Sequence, residues 1–314
     1  MRIERMKRDG ADMYFHIHFI HLIAAICVRI IASLTTRVEP LMQCVLFCCF
    51  MRGKKIGLAL SGGGARGFAH AGVLKALSDH DIPIDCIAGT SAGSFAGAAF
   101  AAGISADDLF RLGHKINWFT IAGFSYSPRG LLSNASMGRF IKANFPVQIF
   151  EELKIPFAAV ACDLEKGDEV ILKDTGDLAL AIRASCAIPG VFVPVTDPLG
   201  RQLIDGGVVS PMPTRAVKNL GADIVIAVDL LSCGATYWGT PSTLLGMLFQ
   251  SAMLMLRTAS RNQHYRASVV IEPAIAHIRP DEMGKRDELF ELGEKATLEK
   301  LDEIKSLLQT ERAD

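Results

Sequence analysis

Between Ile84 and Ala102 an apolar run rich in isoleucine stops at Gly89-Thr90-Ser91-Ala92-Gly93 and gives way at once to small residues. The first run reads as a short buried strand, and Ser94 to Ala102 reads as helix. A serine centred in Gly-x-Ser-x-Gly at a strand-to-helix junction is the pattern of a nucleophile elbow. The chemistry asks for the glycines. A serine held at the tip of a tight turn needs neighbours without Cβ atoms, so that the backbone can bend and a substrate carbonyl can approach. The helix that begins there turns its free N–H groups and positive dipole end toward the reacting atom. Such a junction sets the rest of the chain into an α/β pattern of parallel strands joined by crossover helices.

The same order of elements occurs once more, upstream. Lys55 to Leu60 reads as a buried strand, Ser61-Gly62-Gly63-Gly64-Ala65-Arg66-Gly67 as a glycine loop, and Phe68 to Leu77 as a helix with Phe68, Val73, Leu74 and Leu77 on its apolar face. A glycine loop opening a helix presents backbone N–H groups to an anion. Gly62-x-Gly64-x-x-Gly67 fits a dinucleotide fingerprint, but that fingerprint expects an acidic residue at the end of the second strand. Here that strand ends in Gly89-Thr90-Ser91, and Asp79, Asp81 and Asp85 precede or open it. The oxyanion of an intermediate formed by Ser91 is the better occupant, because one crossover helix brings the two strand ends side by side. Arg66 is expected to brace the loop and His70 to be structural.

A serine nucleophile needs a base. Asp163, Asp205 and Asp229 each stand at the end of an expected strand (Pro156 to Cys162, Gln202 to Ile204, Ile224 to Val228). Asp205 is followed by Gly206-Gly207, which lets the backbone fold tightly and leaves the carboxylate open to a cleft. A carboxylate can accept the serine proton when its pKa is tuned. Asp163 and Asp229 are expected to hold turns. The alternative is a Ser-His-Asp arrangement using His264 or His277. Asp177 caps an expected helix to Cys186, Leu244 to Leu256 reads as an apolar helix, and Asp287 to Leu308 as a charged amphipathic one that closes the domain.

Half of the 314 residues are hydrophobic and the net charge is zero, which gives a large core and no sign of a nucleic-acid partner. Cys86, Cys162, Cys186 and Cys233 sit singly in apolar segments, so neither a metal site nor a disulfide framework is expected, and no cofactor. Buried reduced thiols fit a cytoplasmic protein. Residues 1–50 differ from the rest. Met13 to Leu34 is long enough for one membrane span but contains His16, His18, His21 and Arg29. The segment fits a membrane anchor, an amphipathic surface helix, or an upstream extension outside the functional protein. The last is favoured because Met51-Arg52-Gly53 would itself make an ordinary start. Asn117 to Ser136, with Trp118, Phe119, Phe124, Tyr126 and Leu131, reads as a surface loop packed on its own aromatics or as a lid or lipid-facing rim, the former preferred.

Gly62-Gly63-Gly64-Ala65-Arg66-Gly67, Gly89-Thr90-Ser91-Ala92-Gly93, Ala184-Ser185-Cys186-Ala187-Ile188-Pro189-Gly190 and Asp205-Gly206-Gly207, in that order, resemble bacterial patatin-like phospholipases. The resemblance covers about residues 54–230, with 231–314 as a C-terminal helical part of the same domain. It implies a three-layer α/β/α fold with a mainly parallel sheet, and lipid acyl hydrolysis by a Ser–Asp dyad. Carried over, Ser91 is the nucleophile, Asp205 the base, and Gly62, Gly63 and Gly64 the oxyanion donors. A lipid or fatty-acyl ester is the implied substrate, with room for peripheral membrane contact. The third reading, after the two esterase arrangements, is a regulatory binding module of low turnover on the same fold.

Overall fold

Two strands at the centre of one sheet set the site: β1 (Ile56–Leu60) and β2 (Cys86–Thr90), parallel, with Leu60 opposite Gly89 and joined by α1 (Phe68–Asp79). The computed structural model describes residues 54–125, 127–234 and 240–309, so the expectations for residues 1–50 and for Tyr126 lie outside the described residues. After β2 come α2 (Ala92–Ala101), α3 (Ala106–His114), α4 (Trp118–Ile121), the small hairpin β3 (Gly123–Phe124) and β4 (Leu132–Ser133), and α5 (Ala135–Asn144). β5 (Phe157–Asp163), β6 (Glu169–Lys173), α6 (Leu178–Ser185), β7 (Val195–Thr196) and β8 (Gln202–Asp205) follow. α7 (Thr214–Asn219), β9 (Ile224–Val228), α8 (Leu244–Arg261), β10 (Val269–Ile271) and α9 (Arg286–Gln309) complete the order.

The sheet runs β10-β9-β1-β2-β5-β8-β7, with β6 also on β5. β10, β9, β1, β2 and β5 pair in parallel, while β5–β6, β5–β8 and β7–β8 are antiparallel. The sheet is therefore mixed though mainly parallel, and residues 231–314 are not wholly helical, since they supply the edge strand β10.

β1, β2 and β9 are buried along their whole length, as strands covered on both faces must be. Alternate residues sort by size. Leu58, Leu60, Ile87 and Ile226 enter the larger core, which also takes Leu74 and Leu77 of α1 and Leu289 and Ile304 of α9. Ala59, Ala88, Ala158 and Ala227 face the other side, where they pack with Met212, Ala216 and Val217. Small residues on that face let α7 lie close to the sheet. Emptying the larger face at one position, as in Leu58→Ala, costs about 2–5 kcal/mol. The helices that wall the site are capped locally: Ser105 accepts from Asp108 N–H at the start of α3, and Asn117 and Thr120 form a reciprocal capping box on α4.

Candidate active site

Pairing Leu60 with Gly89 brings the glycine loop after β1 and the turn after β2 to the same end of the sheet. Ser91 sits in that turn with φ 53° and ψ −123°, backbone angles that an L-residue adopts only at a cost of about 1–3 kcal/mol. Its neighbours hold it there. The Ser91 N–H donates to Ser185 Oγ at 2.9 Å, Ser185 Oγ donates to Val160 O at 2.6 Å, and Ser94 Oγ donates to Ser91 O at 2.7 Å. The motif glycines are required by close approach. A Cβ on Gly89 would lie 2.3 Å from Gly93 O, and one on Gly93 would lie 2.2 Å from Leu60 O. The strained bend expected of the flanking glycines falls on the serine itself.

Asp205 ends β8, opposite Ala161 of β5. The chain then turns hard against β5, where a Cβ on Gly206 would meet Val160 O at 2.2 Å. Gly207 N–H donates to Asp205 Oδ1 at 2.7 Å and fixes the carboxylate. Burial pushes Asp205 up to about 6, and hydrogen bonding from the Ser91 hydroxyl and the Gly207 N–H offsets part of that rise. The group is thus ionised at neutral pH yet more basic than an exposed aspartate. Cys186 lies beside both residues, with Sγ 3.8 Å from Ser94 Oγ and the Ser91 hydroxyl as a second partner. Burial and the Asp205 charge push its thiol up, so it stays protonated.

The glycine loop corrects one expectation. Gly62 N–H donates to Pro211 O at 3.0 Å and is not free to hold an oxyanion. Among the described residues the Gly63 and Gly64 amides have no backbone acceptor, and Ala92, in the first turn of α2, has no intrahelical one. Gly64 has φ +59°, and a Cβ there would collide with Pro280 O at 2.6 Å. Arg66 is buried and ties this loop to distant chain: Nε donates to Ile278 O at 2.8 Å, Nη1 to Leu230 O at 3.2 Å and Nη2 to Gly234 O at 3.1 Å. Burial pushes His70 down to about 4, and the neutral ring donates Nε2–H to Ser61 O at 2.8 Å. His70 therefore anchors the residue that opens the loop.

The other candidates are engaged elsewhere. His264 Nε2 donates to Asp229 Oδ2 at 2.7 Å, and Asp229 Oδ1 also takes the N–H groups of Leu231 and Ser232. Although burial opposes it, His264 and Ser260 hold the Asp229 carboxyl below the ordinary range. His277 pairs with Glu288 at the surface. Asp163 Oδ1 accepts from Glu165 and Lys166 N–H and closes a turn. Among the described residues no histidine lines the cavity at Ser91. The described residues bring together no cluster of His, Cys, Asp and Glu suited to a metal ion.

Ser91, Asp205 and the glycine loop border a cavity of about 500 Å³, within the range of roughly 300–1,000 Å³ typical of small-molecule sites. Its walls are apolar: Phe95, Ile116, Met137, Phe192, Met253 and Leu256 contribute from several helices and loops. Trp118 and Ile121 of α4 add to them. The described aromatics of Asn117 to Ser136 do not pack on one another as expected, since Phe119 and Phe124 are each 91% exposed. Ser185 and Cys186, which hold and flank the serine, carried no role in the sequence beyond their place in a recurring block.

A family model described as patatin-like phospholipase matches residues 58–218. A patatin-like phospholipase domain-containing protein of Caenorhabditis elegans is 30% identical over 279 residues, 77% of this chain and 20% of that protein. An uncharacterised NTE family protein of Mycobacterium tuberculosis is 38% identical over 179 residues, 56% of this chain and 49% of its own length. The human patatin-like phospholipase domain-containing protein 6 is 33% identical over 189 residues, covering 57% of this chain and 14% of that protein. These relatives come from a nematode, a mammal and a mycobacterium, so the likeness is not confined to bacteria, and the chain spans half or less of each one's length. The crystal structure of VipD from Legionella pneumophila shares the fold, with a TM-score of 0.56 at 15% identity over 80% of this chain and 67% of that one.

Proposed function

We propose that this chain, which belongs to the patatin-like phospholipase family, hydrolyses carboxylic esters of lipids through an acyl-enzyme on Ser91 with Asp205 as base. One observation carries the reading: a strained serine and a buried carboxylate held near pKa 6 share the floor of an apolar cavity. Asp205 takes the Ser91 proton as Oγ attacks the ester carbonyl carbon. The Gly63 and Gly64 amides receive the negative charge that develops on the carbonyl oxygen. Asp205 then returns the proton to the departing alcohol, and water, activated by the same carboxylate, frees the fatty acid. The hydrocarbon walls take the acyl chain, which fixes the ester at the serine.

The substrate class proposed is an acyl lipid of phospholipase A type, met at the cytoplasmic face of a membrane. No helix of the described residues is long and apolar enough to cross one. The test is ester hydrolysis by single variants. Ser91→Ala and Asp205→Asn should each lose nearly all turnover, with little further loss in the double variant, because nucleophile and base act as a unit. His264→Asn, His277→Asn and His70→Asn should keep turnover in whatever fraction stays folded. A folded histidine variant as inactive as Ser91→Ala would replace the dyad with a triad, and a native protein that binds lipid without turnover would make it a binding module.

A further inference from the structure

We infer that the apolar rim of the cavity mouth, built from α8 and the segment from α4 to β4, is a docking face for a lipid bilayer. The inference rests on the hydrolase reading and names how its substrate arrives. α8 spans 18 residues, contains no carboxylate, and has Arg257 and Arg261 as its charges. Among its described side chains only Ser260 is buried, whereas Leu244, Met247, Leu248, Phe249, Leu254 and Met255 are 49–74% exposed. Its two arginines anchor the C-terminal end, donating from Nε and Nη2 to Ser232 O at 3.0 Å each. On the α4 segment Phe119, Phe124 and Leu131 are likewise exposed. Trp118 and Phe249 join the two patches to the cavity, because each lines it while remaining part exposed.

So large an apolar surface on a water-borne domain marks an interaction site. Its position selects the occupant. A protein seated over Trp118 and Phe249 would close the mouth through which substrate must pass. A bilayer covers the same surface and supplies the acyl chain. With the rim sunk among lipid tails, the chain reaches Ser91 without being drawn through water, so its transfer free energy is not lost on the way. A bilayer also needs no shape match, which suits scattered Phe, Leu and Met on two separate elements.

The test is site-specific photo-crosslinking in the full chain. Benzoylphenylalanine replaces Leu248 or Phe119, with Leu298 of α9 as the exposed control, and the protein is irradiated with phosphatidylcholine vesicles. Adducts to phospholipid at positions 248 and 119 but not 298 are expected. Adducts to residues 1–53 of the same chain, to a second copy, or to no lipid would overturn the inference. A second measurement uses the paired variants L248Q/M255Q and F119Q/F124Q, none of whose positions lines the cavity. Vesicle hydrolysis should fall about tenfold or more while turnover of a soluble short-chain ester stays within about twofold. Equal losses on both substrates would overturn the docking role. Crosslinking does not require turnover, so lipid adducts on an inactive protein would refute the hydrolase reading alone, and turnover without adducts would refute docking alone.

Discussion

Replacing Asp205 by Asn should abolish catalysis and make the protein more stable. Burial lifts this carboxyl from 3.8 to about 6, so above that pH the folded protein carries a charge it would be more stable without. A displacement of that size is worth about 3 kcal/mol, and structural relaxation lowers the expected gain to about 1–3 kcal/mol. Asparagine keeps the shape and the oxygen that accepts Gly207 N–H, and removes the charge. The sign follows from the raised value: Asp205 stabilises fully below about pH 4, and that contribution is lost as pH rises through 6. His70 runs the other way, since burial lowers it from 6.5 to about 4, and stability from it falls as pH drops through that window. Both proteins contain His70, so their difference isolates Asp205. Urea unfolding at pH 8 and pH 4 reads it. The gain should appear at pH 8 and vanish at pH 4. A loss of stability at pH 8, or a gain equal at both pH values, would refute the assignment of the penalty to the buried charge.

Five further outcomes are expected. Ser91→Gly should be inactive yet more stable than Ser91→Ala by about 1–2 kcal/mol in urea unfolding, because glycine adopts φ 53° without strain. Gly64→Ala, with a left-handed φ and Pro280 O in its way, should cost about 1–3 kcal/mol of stability. Gly62→Ala, whose Cβ would sit 3.4 Å from the Ser91 Cβ, should unfold like the native protein but turn over short-chain ester more slowly. Arg66→Met strands the carbonyls of Ile278, Leu230 and Gly234, and should lower the unfolding free energy by about 3 kcal/mol or more. Turnover against pH should climb through about 6 and then level, following ionisation of Asp205 rather than of a histidine.

Local patterns made the strands and turns legible. β1, β2 and β9 are short apolar runs ending in turn residues, and the three candidate aspartates stand where such runs end. What separates those aspartates is long-range. Asp229 meets Ser260 in the last turn of α8 and His264 just beyond it, whereas Asp205 meets the turn after β2. The fate of the Gly62 amide was illegible for the same reason, since its acceptor, Pro211, lies far along the chain. The apolar helix from Leu244 was readable as a helix, but composition cannot tell a buried face from an exposed one, and α8 lies at the surface. Asn117 to Ser136 misled similarly: aromatic content suggested mutual packing, while the capping box of α4 and the small hairpin turn Phe119 and Phe124 outward.

The most direct test of the dyad is the rate at which a fluorophosphonate modifies the protein, followed by intact mass and peptide mapping across pH 4–9. The native chain should gain one phosphonyl group on Ser91, at a rate that rises through about pH 6. Asp205→Asn should react slowly throughout, and Ser91→Ala not at all. Label on another residue, or equal rates with and without the Asp205 carboxylate, would contradict the account.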